Sequence, residues 1–176
     1  MPQLRYLKTQ IEKDLTRKMV FVGGPRQVGK TTLAMNFLES EKGYLNWDSS
    51  DHREMILKRE LPIGPLWIFD EIHKYRLWRN YLKGLYDTRP CGQKILVTGS
   101  ARLDFYRFSG DSLHGRYHYL RLHPLSLAEL KTQKQEDLMQ LLHLGGFPEP
   151  FFSGTEIDAK RWSREYRTRL IHEDLN

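Results

Sequence analysis

The chain of 176 residues has one cysteine, Cys91, which leaves no partner for an internal disulfide and no cysteine pair for a zinc site. That usage fits a reducing compartment, and the cytoplasm is the expected one. No apolar run approaches the length needed to cross a bilayer. The charged first eighteen residues also lack the apolar core of a secretory signal, so no membrane partner is expected. Dense runs of Lys and Arg are missing as well. The net charge of +6 comes from scattered cations, which predicts a solvated surface; a nucleic-acid partner is compatible with the charge but has no footprint to support it. The seven histidines show no ligand spacing: His114 and His118 are four apart, with no nearby Glu or Cys set. There is no internal repeat, low-complexity tract or flexible linker.

What is present suffices for a packed core. Hydrophobic residues make up 39% of the chain without counting its 13 glycines, and aromatics make up 12%, in the ordinary globular range. The sharpest feature is Gly24-Pro25-Arg26-Gln27-Val28-Gly29-Lys30-Thr31-Thr32, which fits the phosphate-loop pattern G-x-x-x-x-G-K-[ST]. It follows the apolar run Met19–Val22 and opens a helix-like segment, 32–38, and this strand–loop–helix context separates a nucleotide site from a chance match. Two glycines let the backbone aim N–H groups at phosphate oxygens, and the helix start adds positive potential. Lys30 is expected to reach the β- and γ-phosphates of a nucleoside triphosphate, and the Thr31 hydroxyl to hold Mg²⁺.

Apolar residues at 4, 7, 11 and 15 predict an amphipathic first helix. Tyr44–Trp47 reads as a second strand, and Asp48, Ser49, Ser50 and Asp51 offer N-caps for a helix near 52–59. Leu66–Phe69 and Lys94–Thr98 read as further strands without polar alternation, and Tyr117–Leu122 as a fifth. Helical spacing from Leu77 to Tyr86 lies between them. Strands alternating with helices predict an α/β fold with a parallel sheet covered on both faces. After Leu125 the character turns helical: Ser126 caps one short segment, 136–144 forms another, and Gly145–Pro150 is a breaker. Residues 1–125 are therefore expected to form the core and 126–176 a helical lid or the start of a further region. Trp162, Tyr166 and Leu170 recur every four residues on a charged helix reaching Asn176 without a glycine or proline stop. That pattern predicts an exposed stripe whose packing partner lies downstream.

Asp70-Glu71 ends the third strand, where ligands bind in an open parallel sheet. An Asp there can hold Mg²⁺ through water, opposite the Thr31 hydroxyl, and the adjacent Glu can polarise the water that attacks the γ-phosphate. Thr98-Gly99-Ser100 ends the fourth strand and brings a small polar group near the same phosphate, with Ser100 the first choice and Thr98 the second. A plain turn with a helix N-cap for residues from Ala101 onward is the competing reading. Arg116 precedes the fifth strand and is a candidate to touch phosphate, in cis or from a neighbouring subunit; Arg102 is a weaker one.

In order along the chain, Gly23–Leu33, Phe69–Lys74, Thr98–Ala101, Gly115-Arg116, Leu122–Leu130 and Gly145–Glu149 resemble the prokaryotic AAA+-superfamily ATPases of the "AAA domain, group 14" type. The resemblance implies a P-loop NTPase fold with five parallel strands, strand 94–98 lying between the phosphate-loop strand and strand 66–70. It also implies ATP and Mg²⁺ as ligands, hydrolysis that moves an attached domain, and an uncharacterised C-terminal domain beyond this chain, of nuclease-like or winged-helix character. Adenine rests on the resemblance together with the lack of an Asn-Lys-x-Asp motif. Leu127 stands where the family usually has Phe. A homo-oligomer is an expected partner state. Two other classes stay open on the residues: a non-hydrolysing ATP switch and a small-molecule kinase, the latter needing an acceptor pocket and an arginine-rich lid.

Overall fold

The computed structural model describes residues 5–39, 41–100, 113–130 and 135–174; the segment from Ala101 and the candidate Arg102 lie outside them. The chain divides into two compact units, one from Tyr6 to Leu122 and one from His123 onward that also includes Arg5.

In the first unit five strands, β1 (Met19–Gly23), β2 (Tyr44–Asn46), β3 (Leu66–Asp70), β4 (Lys94–Thr98) and β5 (Tyr117–Arg121), form one sheet in the order β2-β3-β4-β1-β5. Every pairing is parallel, and β4 separates β1 from β3 as the resemblance implied. The apolar runs behave as expected of strands covered on both faces: all five residues of β1 and of β3 are buried, while edge strand β5 is only half-buried. Alternation sends Phe21, Phe69 and Val97 to one face. There they cluster with Ile56 of α3 (Ser50–Lys58) and with Trp78 and Leu82 of α4 (Trp78–Thr88). Helices α1 (Lys8–Asp14) and α2 (Lys30–Met35), whose Ile11 and Leu33 are buried outside that cluster, cover the other face. Full burial of each large apolar side chain contributes about 1.5–3 kcal/mol, so the two faces hold the strand ends, and the site on them, in fixed register.

Some boundaries move. The phosphate-loop helix starts at Lys30 and ends at Met35, leaving Phe37 in a turn and Leu38 beyond it. Ser49 sits at the N-cap of α3, but its side chain makes no capping bond.

The second unit is helical: α5 (Leu127–Leu130), α6 (Gln135–Leu144), α7 (Pro148–Ser153) and α8 (Glu156–Arg169), with a wide final turn Leu170–Asp174. The expected breaker is shorter than Gly145–Pro150. Only Gly145, Gly146 and Phe147 interrupt the helices, because Pro148 and Pro150 lie in the first turn of α7, where a missing N–H costs nothing. The stripe on α8 is also less exposed than its spacing suggested. Phe147 packs against both Trp162 and Tyr166, at 4.8 and 5.0 Å between ring centroids, and those two rings stack on each other.

Glu129 supplies one half of a capping box, its carboxylate accepting the Ser126 N–H at 2.9 Å and the Ser126 hydroxyl at 3.2 Å. The other Glu129 oxygen accepts from Arg5 Nε at 2.8 Å, and the Arg5 guanidinium also donates to the His123 carbonyl. Both side chains are almost wholly buried. Glu129→Gln removes the negative charge from a buried charge-assisted bond. It is expected to destabilise this unit by about 2 kcal/mol, read as a lowered unfolding transition in a denaturant titration.

Candidate functional site

The site begins where β1 ends. After Gly23 the chain turns sharply at Gly24, with φ +143°, and a Cβ there would lie 2.3 Å from the Leu122 carbonyl oxygen just beyond β5. Only glycine fits that close approach. Gln27 and Gly29 also have positive φ, and such alternation turns successive backbone N–H groups toward one side, a concavity suited to anions. The Val28 side chain is fully buried and anchors the loop to the core. Around it Pro25, Arg26 and Gly29 are half-buried, and Gln27 and Thr32 are exposed.

Lys30, in the first turn of α2, is only 8% exposed. Its ammonium folds back over the loop and donates to the carbonyls of Gly24 at 3.0 Å and Pro25 at 2.7 Å. Burial pushes it below the ordinary lysine value. The Glu71 and Asp70 carboxylates oppose that effect, and Arg26 adds to it. A buried ammonium at a glycine-rich loop is a strong attractor for a polyphosphate.

Asp70 is the geometric centre. It is buried at the carboxyl end of β3, and three hydroxyls converge on it. Thr31 Oγ1 and the Tyr44 phenol donate to Oδ2 at 2.8 and 2.7 Å, and Thr98 Oγ1 donates to Oδ1 at 2.6 Å. Burial, with the bond to Asp70 added, pushes the Tyr44 phenol upward and keeps it a donor. Thr31 and Asp70, expected to serve one metal ion, are thus in direct contact, and they offer the hard oxygen donors that Mg²⁺ prefers. The residues present fit that ion.

Glu71 turns away from its neighbour. Its backbone lies in the left-handed region at φ 56°, uncommon for a residue with a side chain and a recurrent mark of functional sites. Its carboxylate lies 3.5 Å from His73 Nε2 and 3.7 Å from Lys74 Nζ. Burial raises its proton affinity above the ordinary glutamate value, with Lys74 opposing. The two adjacent carboxylates therefore have separate partners, as a division between metal and water requires.

Ser100 is buried two residues past Thr98, beyond the end of β4 on the phosphate-loop side of the sheet. Thr98, its alternative as a phosphate contact, has its hydroxyl committed to Asp70. Arg116 stands apart from these residues. Its carbonyl accepts from Met19 N at the start of β1, at the end of the sheet opposite the loop. Five strand residues, roughly 17 Å, separate the two, more than an arginine spans. The guanidinium is instead paired with Asp87 at 2.8 and 3.0 Å. In this placement the guanidinium does not reach the loop of its own chain.

Tyr44 and the Asp70-holding role of Thr98 were missed from sequence. Their signal is register: Thr98 pairs directly with Asp70, and Tyr44 pairs with Ile68 two residues before it.

A family model described as an AAA domain matches residues 16–131, about two thirds of the chain. Two curated relatives, Uncharacterized protein Mb2031c of Mycobacterium bovis and Uncharacterized protein Rv2008c of Mycobacterium tuberculosis, are each 24% identical over 162 residues. Those residues are 89% of this chain and 36% of theirs, so the chain spans about a third of the relatives' length. Among solved structures, a signal transduction ATPase with numerous domains and a tetratricopeptide repeat sensor, from Pyrococcus horikoshii, matches with a TM-score of 0.52. The identity is 16%, covering 84% of this chain and 29% of that one. That likeness is one of fold.

Proposed function

The chain belongs to the AAA-domain family of P-loop nucleoside triphosphatases, and on that premise we propose that it binds ATP with Mg²⁺ and hydrolyses it, using the energy to move an attached domain. The observation that carries this reading is the convergence of Thr31, Tyr44 and Thr98 on Asp70, with Glu71 set apart beside it. A plain strand-end turn has no use for a buried carboxylate gathered by three hydroxyls next to a second one in a strained conformation.

In this reading the loop from Gly24 to Thr32 cradles the phosphates through its N–H groups. Lys30 exchanges its bonds to the Gly24 and Pro25 carbonyls for bonds to phosphate oxygens. Thr31 and Asp70 hold Mg²⁺, which when bound neutralises charge building on the phosphates. Glu71 accepts a proton from the attacking water, and Ser100 stands toward the terminal phosphate. Water is the favoured acceptor because Glu71 is a carboxylate with raised proton affinity beside the metal ligands, suited to general-base work. Among the described residues no helix is long and apolar enough to cross a membrane.

Phosphate release from ATP by this chain, with Mg²⁺ and with excess chelator, tests the reading. Release is expected only with Mg²⁺, and Asp70→Asn is expected to remove the Mg²⁺-dependent part of ATP binding. Binding without release points to a nucleotide switch; consumption of ATP only with an added acceptor points to a phosphotransferase.

A further inference from the structure

His73 and Lys74 occupy a single 3-10 turn, Ile72–Lys74, immediately after Glu71. Both reach back to the same oxygen of that carboxylate, Oε2, at 3.5 and 3.7 Å. Lys74 Nζ also lies 2.5 Å from Asp48 Oδ2, on the turn after β2. That turn is itself stitched down. The Asp48 N–H donates to the Asn46 side chain at 2.9 Å, and the Trp47 N–H donates to the Asp70 carbonyl at 3.0 Å. The Trp47 ring stacks on Tyr75, the residue after Lys74, at 4.8 Å between centroids. The ammonium is therefore also held by a segment anchored on the site's own strand.

On the reading of Glu71 as general base, on which this rests, we propose that Lys74 is a positioning residue: pinned by Asp48, its ammonium fixes Glu71 Oε2 and leaves Oε1 to face the attacking water. A glutamate has three rotatable bonds, and a base must stay within hydrogen-bond reach of the proton it takes. Holding one oxygen removes most of that freedom while the other oxygen stays available. The Lys74–Asp48 pair is about half exposed at both partners, and such pairs add little to stability. Its consequence is expected in the rate and not in the fold.

The test compares single-turnover and steady-state ATP hydrolysis by the parent chain and by Lys74→Ala, Lys74→Arg, Asp48→Ala, the Asp48→Ala/Lys74→Ala double variant, and Glu71→Gln as reference. Lys74→Ala is expected to lower kcat roughly tenfold, the scale of a misplaced catalytic group, with KM for ATP within about twofold and an unchanged melting temperature. Lys74→Arg restores most of the rate, Asp48→Ala loses part of it, and the double variant is no slower than Lys74→Ala. A parental kcat in Lys74→Ala, a loss confined to KM, or no rescue by arginine overturns the proposal. If Glu71→Gln itself hydrolyses at the parental rate, or the parent releases no phosphate, the reading of the site fails and this inference with it. A slow Glu71→Gln beside an unaffected Lys74→Ala sinks this inference alone.

Discussion

Lys30→Ala is expected to weaken MgATP binding roughly ten- to a hundredfold without unfolding the chain. The ammonium is buried against the Gly24 and Pro25 carbonyls and contributes its charge where the phosphates are proposed to lie. A charge-assisted bond to a phosphate oxygen contributes about 1.5–3 kcal/mol in such a setting, and each 1.4 kcal/mol is tenfold in affinity. The apolar surface that closes the sheet comes from Ile11, Leu33 and their neighbours, so the fold does not depend on this ammonium. Titration calorimetry on a folded Lys30→Ala chain reads the effect directly; unchanged affinity would remove the phosphate-loop assignment.

Glu71→Gln tests the other half of the site. The substitution keeps size and hydrogen-bonding reach but cannot accept a proton. ATP affinity is expected to hold within a fewfold, while hydrolysis falls about a hundredfold, the ordinary contribution of a general base. Asp70 and its three hydroxyl partners do not involve the Glu71 carboxylate, so the metal ligands stay in place. The measurement is phosphate release at saturating MgATP, paired with a binding isotherm for the same variant. A parental rate in Glu71→Gln takes the base role away from this residue.

Much of the first unit was legible from sequence because its signals are local. Apolar runs without alternation marked the central strands, and the glycines and Lys30 marked the loop. Asp70-Glu71 was recognisable because it follows four apolar residues at a strand end. What escaped depends on pairing between segments. Nothing local says that Thr98 lies opposite Asp70, or that Tyr44, on an edge strand, reaches the same carboxylate; both follow from parallel register. Whether Arg116 would act in cis or from a neighbouring subunit stayed open in the sequence for the same reason. Its nearness to β5 in sequence says nothing about which end of the sheet it occupies, and the start of a parallel strand is the end away from the ligand. In the second unit, Pro148 and Pro150 read as breakers, though proline in a first helical turn starts a helix as readily as it stops one. The stripe on α8 read as uncovered because its cover, Phe147, stands fifteen residues before Trp162 and has no periodic relation to it.

A crystal structure of this chain with Mg²⁺ and a non-hydrolysable ATP analogue tests the central claim most directly. The account predicts the terminal phosphates in the loop from Gly24 to Thr32, with Lys30 Nζ turned from the Gly24 and Pro25 carbonyls onto phosphate oxygens. Mg²⁺ then lies between Thr31 and Asp70, and a water near the terminal phosphate lies within hydrogen-bond reach of Glu71. A nucleotide bound elsewhere, or one in the loop with Lys30 still on the carbonyls and no metal between Thr31 and Asp70, would contradict it.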